Sequence, residues 1–517
     1  MSVYNSGQAR RSLIDTVAFR LVSQVATVLG YVVMVRGMQK VDFGIYSLLY
    51  SFVPVVSTVA SLGLLQTLRR FQPEYLREGK LSAAAWLVKV VASWRFGTNV
   101  AVLAVVLLAW NQVAPLFKLA PYRHEFMIFS VLLLLHFQAA VLQSALGAHM
   151  LHRVSMGAMA LLSVIKLALY SAWVWFDTLT IERAIIADTV GYALVYLVMR
   201  LSYRKHCLES VDADSYRPEP VERKRLMRYG LFNNFNDAGT LFLDSKIDNF
   251  FIVAFLDPIS VGVYAFYNRL NEMTGNWLPV RLFETVVMPL FFSMPPGEAP
   301  RRTPQYFSLL LNLNLLVQWP LLAYVTTYHM EIVQVIFGGK FIEHSWLLPI
   351  VYGFATINAV SVPATLVAQY EEKAGAILLS KVFAFYNVAA MMVLIPLAGL
   401  YGAAVASGSA QAMKNLFIWW KVRRSAVWTN AAASMLTSVS LWGSIVGLCY
   451  LIKRFAGMPA LANLAIGALI FAAACLAFVR SPALSTEDRA LLASVFKGKE
   501  AILMQRLGVL RRTQPQQ

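Results

Sequence analysis

The sequence predicts an all-α polytopic membrane protein with about 14 transmembrane helices. Only 14% of its 517 residues are charged, whereas a soluble globular domain carries about 25%. The mean hydropathy is +0.59, and apolar runs of about 20 residues recur along the chain. These runs are continuous and do not alternate, which favours helices over the strands of a membrane barrel. The composition therefore excludes a soluble multidomain enzyme and a disordered chain.

The apolar runs define the predicted spans. Each is long enough to cross the roughly 30 Å hydrocarbon core of a bilayer as a helix. The first run is a retained span and not a signal peptide, because no small-residue cleavage site accompanies it. The predicted spans are 13–35, 43–68, 86–110, 126–148, 154–176, 180–201, 230–256, 258–280, 306–327, 346–369, 374–397, 400–420, 434–452 and 459–479.

Lysine and arginine are distributed unequally between the loops. With both termini in the cytoplasm, the cytoplasmic segments hold 28 of the 45 basic residues and the outer loops hold 8. Positive charge is retained on the cytoplasmic side of membrane proteins, so both termini are predicted to be cytoplasmic. The formal net charge of +18 is then mainly topological, and we expect no nucleic-acid partner.

Three short motifs recur in the same order in the two halves of the chain. The matching pairs are 41–46 (VDFGIY) with 259–264 (ISVGVY), Phe117 with Phe337, and 161–163 with 378–380, at offsets of 218, 220 and 217 residues. Duplication of a six-helix unit accounts for these offsets. An even number of spans in each unit makes the two repeats parallel.

The duplication predicts the domain organisation. Two parallel six-helix lobes surround a central cavity, and two further helices follow them. The predicted parts are an N-terminal lobe (1–201), a basic cytoplasmic linker (202–228), a C-terminal lobe (229–424), extra helices 13 and 14 (425–480) and a cytoplasmic tail (481–517).

Signatures of enzymes and cofactors are missing from the sequence. None of its three Gly-Lys pairs is followed by Ser or Thr, so no Walker A loop is predicted. Cys207, Cys449 and Cys475 are odd in number and widely spaced, which gives no disulfide or metal framework. We therefore expect no catalytic residue, no cofactor and no metal site.

Charged side chains inside the spans are the main candidates for function. Each costs roughly 2.5–3.5 kcal/mol at the centre of a spanning helix unless it faces water or a partner. So many charges predict a hydrated cavity in which the deepest cations bind an anion; the alternative is buried ion pairs between helices. The candidate substrate-binding cations are Arg20, Arg95, Lys166, Lys246, Arg269, Lys381 and Lys414, and the candidate ion-coupling acids are Asp188, Asp237, Asp244 and Asp248.

Two groups of charges leave specific alternatives open. Arg269 and Glu272 are three residues apart on one helix, where they are positioned to neutralise each other. Asp244 and Asp248 share a helix face from which Lys246 points away. An external anion is therefore the expected partner of Lys246.

The N-terminal region, residues 36–80, resembles a known family. Its motifs are similar to those of the polysaccharide flippases of the multidrug/oligosaccharidyl-lipid/polysaccharide exporter superfamily. The motifs that carry the resemblance are 42–46 (DFGIY), 61–64 (SLGL) and 70–75 (RFQPEY), with 248–251 (DNFF), 261–264 (VGVY) and 336–338 (IFG) as counterparts in the second half.

The resemblance implies a bacterial inner-membrane flippase. Such a protein moves undecaprenyl-pyrophosphate-linked oligosaccharide repeat units for O-antigen or exopolysaccharide biosynthesis, with membrane lipid, a polymerase and export machinery as candidate partners. We expect alternating access, in which the charged head crosses within the cation-lined cavity while the lipid tail stays in the bilayer.

Two other classes of protein compete with this interpretation. A multidrug cation antiporter of the same superfamily is the alternative, and it predicts twelve spans and a net acidic cavity. A membrane glycosyltransferase or polymerase predicts a sizeable outer loop with catalytic acids, which the sequence lacks.

Overall fold

The computed structural model describes residues 6–209, 211, 216, 218–275, 278, 299–429, 431–481 and 483–495, with side chains from residue 18 onward. These residues are helical and contain no strand, as the sequence predicts. The chain divides into two compact units, Met1–Ala265 and Phe266–Gln517. The predicted bounds of lobes, linker and tail, and the cytoplasmic location of both termini, stay predictions.

The helices of the first unit follow one another through short connections. They are α1 (Ser6–Gly37), α2 (Lys40–Ser61), α3 (Leu64–Arg77), α4 (Leu81–Leu108), α5 (Trp110–Val113), α6 (Arg123–Ala148), α7 (His152–Phe176), α8 (Ile181–Cys207), α9 (Pro220–Leu241), α10 (Ser245–Phe255) and α11 (Pro258–Gly275), within which the first unit ends. α1 packs along α7, and α8 packs on both α6 and α7. Buried side chains of α3, α4, α6, α7 and α8 form its main core, which includes Phe71 and Tyr75.

The second unit is built around one long helical stretch, which is kinked at Tyr328. Its helices are α12 (Ala299–Phe337), α13 (Leu347–Ile357), α14 (Ser361–Tyr370), α15 (Ala374–Leu379), α16 (Phe383–Val422), α17 (Ala431–Ala456), α18 (Ala460–Arg480) and α19 (Thr486–Val495). α12 packs against α13, α14, α17 and α18. Trp442 of α17 stacks on Phe471 of α18 at 5.6 Å between centroids, and Tyr324 of α12 meets the same ring at 5.1 Å. The helices predicted as 13 and 14 are thus packed on α12.

Eleven helical stretches of the described chain are long and apolar enough to cross a membrane, so the predicted count of about 14 is not confirmed. Predicted span 230–256 has no counterpart among the eleven, and predicted span 258–280 is described only as far as α11, because its end lies outside the described residues. The first is interrupted after Leu241, and α10 is only 11 residues long. Predicted spans 374–397 and 400–420 fall in one stretch, Ala374–Val422.

That stretch contains a reversal of the chain at Gly399. Its φ of 57° and ψ of −133° are non-helical, in a region that glycine reaches without a steric penalty. A Cβ on Gly402 would lie 2.0 Å from the carbonyl oxygen of Leu394. Residues eight positions apart in a straight helix are about 12 Å apart along its axis. α16 therefore folds back on itself between the two predicted spans.

The predicted span 43–68 is also interrupted, because α2 ends at Ser61. Leu62 and Gly63 have φ values of 47° and 70°, and α3 begins at Leu64. Successive left-handed residues cannot continue an α-helix. The sequence analysis was therefore wrong to extend one helix through these positions.

Candidate functional site

Three of the predicted cations in the first unit act on one imidazole ring. His136 of α6 lies in the electric field of Arg95 on α4, Lys166 on α7 and Lys246 on α10. The ring packs edge-on against Tyr192 at 4.9 Å between centroids. We call these four residues the cation cluster.

Lys166 is balanced within the protein by Asp188. The carboxylate is fully buried, and its Oδ1 lies 2.8 Å from the Lys166 ammonium. Tyr46 donates to Oδ2 at 2.6 Å, Tyr50 donates to the same oxygen, and Tyr170 donates to Oδ1 at 2.5 Å. Four donors satisfy a carboxylate. Lys166 and Asp188 therefore form the buried ion pair between helices that the sequence left as the alternative.

Lys246 differs from Lys166 because the two acids nearest to it in the sequence have other partners. Asp244 lies just before α10 and caps it, accepting from the backbone N–H of Lys246 at 2.9 Å. Asp248 is fully buried and accepts from the Tyr264 hydroxyl at 2.8 Å. Among the described residues, no ion pair joins the half-buried Lys246 ammonium to a carboxylate. The predicted helix face shared by Asp244 and Asp248 is wrong, because Asp244 precedes α10, but neither carboxylate forms an ion pair with Lys246 among the described residues.

The other predicted residues of the first unit lie in different surroundings. Arg95 is only 1% exposed, with its guanidinium 5.5 Å from the ring centroid of Phe137. Arg20 is exposed on α1, and Asp237 is half-buried on α9. No described contact joins Arg20 or Asp237 to the cation cluster.

The three predicted cations of the second unit lie in two separate places. Arg269 pairs with an acid, and Lys414 lies near Lys381. Arg269 lies 2.9 Å from Glu272, and both side chains are partly accessible, so the predicted pairing of the two charges is confirmed. Lys414 of α16 is half-buried and lies in the field of Lys381, in the 3-10 turn Ser380–Val382. The positive charges of these two lysines repel each other.

Sequence reasoning missed the tyrosines that hold the buried acids. A signal was present, because Tyr46 and Tyr50 lie one turn apart inside a span, where each hydroxyl needs a partner. Tyr264 occupies the position equivalent to Tyr46 in the predicted repeat, and both donate to a fully buried aspartate. His136 carried no comparable signal, because its neighbours come from four other helices, α4, α7, α8 and α10.

The RFQPEY motif (70–75) on α3 holds the basic linker through what we call the linker clamp. The hydroxyls of Tyr75 and Tyr216 both donate to the carboxylate of Glu222, and the Tyr216 hydrogen bond is 2.5 Å long. The guanidinium of Arg225 lies 3.1 Å from the carboxylate of Glu74. Burial and the neighbouring carboxylate raise the pKa of Tyr75 and raise the pKa of Tyr216 to about 12. Both phenols therefore remain hydrogen-bond donors at neutral pH.

We expect Glu222→Gln to destabilise the first unit by about 1–2 kcal/mol, because an amide accepts at only one of the two oxygen positions. A lower thermal midpoint and faster proteolysis of the linker would report the loss. Glu219→Gln is the matched control, since the exposed Glu219 side chain makes no cap hydrogen bond to α9. Equal midpoints for the two variants would contradict the clamp.

Comparison with known proteins assigns the family. A sequence model of the family described as "Polysaccharide biosynthesis protein" matches residues 33–346. The chain belongs to this polysaccharide biosynthesis protein family. A search of curated proteins by sequence finds no match.

The polysaccharide biosynthesis protein shares its fold with solved membrane transporters. Lipid II flippase MurJ in an inward closed conformation is similar with a TM-score of 0.66 and 13% identity, over 90% of this chain and 99% of that one. An inward-facing multidrug resistance MATE family transporter of the MOP superfamily is similar with a TM-score of 0.62 and 14% identity, over 78% and 95%. Together with the family match, these structures confirm the resemblance to the exporter superfamily.

Proposed function

We propose that this polysaccharide biosynthesis protein is a flippase for undecaprenyl-pyrophosphate-linked oligosaccharides in the bacterial inner membrane. The observation that carries the proposal is the Lys246 ammonium, which shares the cation cluster but has no ion-pair partner among the described residues. MurJ, which has the same fold, is a lipid II flippase, and this likeness supports a lipid-linked substrate. The family match supports a substrate from polysaccharide biosynthesis.

Lys246 is the residue that we propose binds the pyrophosphate. A phosphate oxygen supplies the negative charge that neither Asp244 nor Asp248 offers it. Arg20, Arg269, Lys381 and Lys414 are the further cations proposed to meet the headgroup as it crosses by alternating access. The lipid tail stays in the bilayer, where no polar surface has to be desolvated.

Asp237 is the strongest of the candidate ion-coupling acids. Asp188 is held by Lys166, Asp244 caps α10, and Asp248 accepts from Tyr264. Titration of any of these three would break an existing contact. Asp237 is half-buried, so a proton or a sodium ion could reach it with less disruption.

Export of a surface polymer tests the role of Lys246. In a strain that lacks the gene, we expect Lys246→Met to reduce polymer at the cell surface at least tenfold and to leave lipid-linked repeat units in the cytoplasmic leaflet. Lys246→Arg should retain export, because it keeps the charge. Lys205→Met, which removes an exposed lysine near the end of α8, is the matched control.

Two results would overturn the proposal. Normal export by Lys246→Met at wild-type membrane abundance would remove the residue from the substrate site. Resistance to cationic drugs conferred by the wild type, without polymer export, would favour the multidrug antiporter. We expect no such resistance, since Lys246 repels an organic cation.

A further inference from the structure

Arg95 is the one lysine or arginine of the described chain whose side chain is almost fully buried. It is 1% exposed, midway along α4, and the face of the Phe137 ring covers its guanidinium. Its Nε and Nη1 atoms are buried without a hydrogen-bond partner among the described residues. Two strong donors are therefore unused at this site.

The charge of Arg95 is also unbalanced. A guanidinium stays protonated in proteins, so burial cannot neutralise it as it can a lysine. Among the described residues no carboxylate forms an ion pair with Arg95, and the neighbouring charge of Arg69 is itself positive. The Asp188 carboxylate is engaged with Lys166. A buried cation without a counter-charge is strongly unfavourable, so a negative charge from outside the described residues is favoured.

The surroundings of Arg95 are polar along the same helix. Asn99 lies one turn further along α4 and is fully buried. Its Nδ2 donates to the Arg95 carbonyl at 2.6 Å, whereas its Oδ1 has no partner among the described residues. A purely apolar packing surface would not include these two side chains on successive turns.

We propose that Arg95 binds a small inorganic anion with the charge and size of chloride. The charge follows from the unbalanced guanidinium and its two unused N–H donors. The size follows from the 1% exposure, because a sugar-linked pyrophosphate cannot be enclosed to that extent while its lipid stays in the bilayer. The anion is a resident counter-ion that stabilises the first unit, and its role is separate from the headgroup site proposed at Lys246.

Anion-dependent stability of the purified full-length protein tests the proposal. With sodium gluconate keeping the ionic strength constant, we expect the thermal midpoint to rise by about 5 °C with increasing chloride and then to saturate. Bromide should act like chloride, and inorganic phosphate should not. Equilibrium binding of radioactive chloride should show one saturable site per chain.

Variants separate this site from general effects of salt. Arg95→Gln should lose both the chloride-dependent midpoint and the bound chloride, whereas Arg204→Gln, at an exposed position near the end of α8, should keep both. Lys246→Met should also keep both while losing export, so failure of the flippase proposal and failure of the anion site are distinguishable. If Arg95→Gln does not fold, the chloride dependence of the thermal midpoint and the binding of radioactive chloride, both measured on the wild type, test the proposal.

Three outcomes would overturn the proposal. A midpoint independent of chloride with no bound chloride would mean that water alone solvates the guanidinium. A rise caused by phosphate but not by chloride would assign the site to a phosphate group, from solution or from a lipid head. Saturable chloride binding that persists in Arg95→Gln would place the ion elsewhere.

Discussion

Replacing Asp188 with alanine is expected to destabilise the first unit by about 3–5 kcal/mol, because it leaves the ammonium of Lys166 without its buried partner. The fully buried carboxylate also accepts from three tyrosine hydroxyls, which lose their acceptor together. The yield of monodisperse protein and its thermal midpoint, measured in one detergent, would report the effect. Asp188→Asn should be less damaging, since its amide oxygen still accepts from a hydroxyl.

A double-mutant cycle separates loss of the ion pair from loss of the hydrogen bonds. Lys166→Met in the Asp188→Asn background should recover part of the midpoint, because it removes the unbalanced charge. Tyr170→Phe alone should cost about 1 kcal/mol, the usual net value of one hydrogen bond. Additive effects of the Lys166 and Asp188 changes would show that the two charges do not interact. That result would return Asp188 to the candidates for ion coupling.

The sequence could identify the charges inside the spans but not the partners of most of them. Helical periodicity fixes which residues share a face of one helix, so the Arg269–Glu272 pair and the separation of Lys246 from Asp248 were both predictable. Lys166 and Asp188 lie on different helices, and periodicity does not determine which helices become neighbours. The cation cluster could not be predicted for the same reason, since its residues come from four helices, α4, α6, α7 and α10.

Breaks within helices limited the prediction of the fold in a similar way. A hydropathy window averages over about 20 residues, so it runs through a turn of two residues at Leu62 and Gly63. Asp244 carried a usable signal, because an aspartate ahead of a helical run is a common N-cap. The sequence analysis instead treated Asp244 as an acid within a span and placed it on the same helix face as Asp248. Its capping bond to Lys246 puts it before α10.

The glycine of the repeated motif is the position at which we expect the second large effect. A Cβ on Gly44 would lie 1.9 Å from the carbonyl oxygen of Pro258, at the start of α11. Gly262, its equivalent in the predicted repeat, has a Cβ position 3.1 Å from the Cα of Gly44. Both obstacles are backbone atoms, which cannot rotate away as a side chain can. α2 and α11 can therefore approach this closely only because both motifs contain glycine.

We expect Gly44→Ala to destabilise the first unit by about 3 kcal/mol, at the upper end of the cost of overpacking, since the helices must separate. Gly262→Ala should cost less, because a shift of a few tenths of an ångström relieves its contact. Gly97→Ala is the matched control within α4, where a Cβ meets nothing within 4 Å and the change should be neutral or stabilising by about 0.5–1 kcal/mol. Thermal midpoints should therefore fall in the order Gly97→Ala, wild type, Gly262→Ala, Gly44→Ala. If Gly44→Ala were as stable as Gly97→Ala, the close contact of α2 and α11 would be absent from the protein in solution.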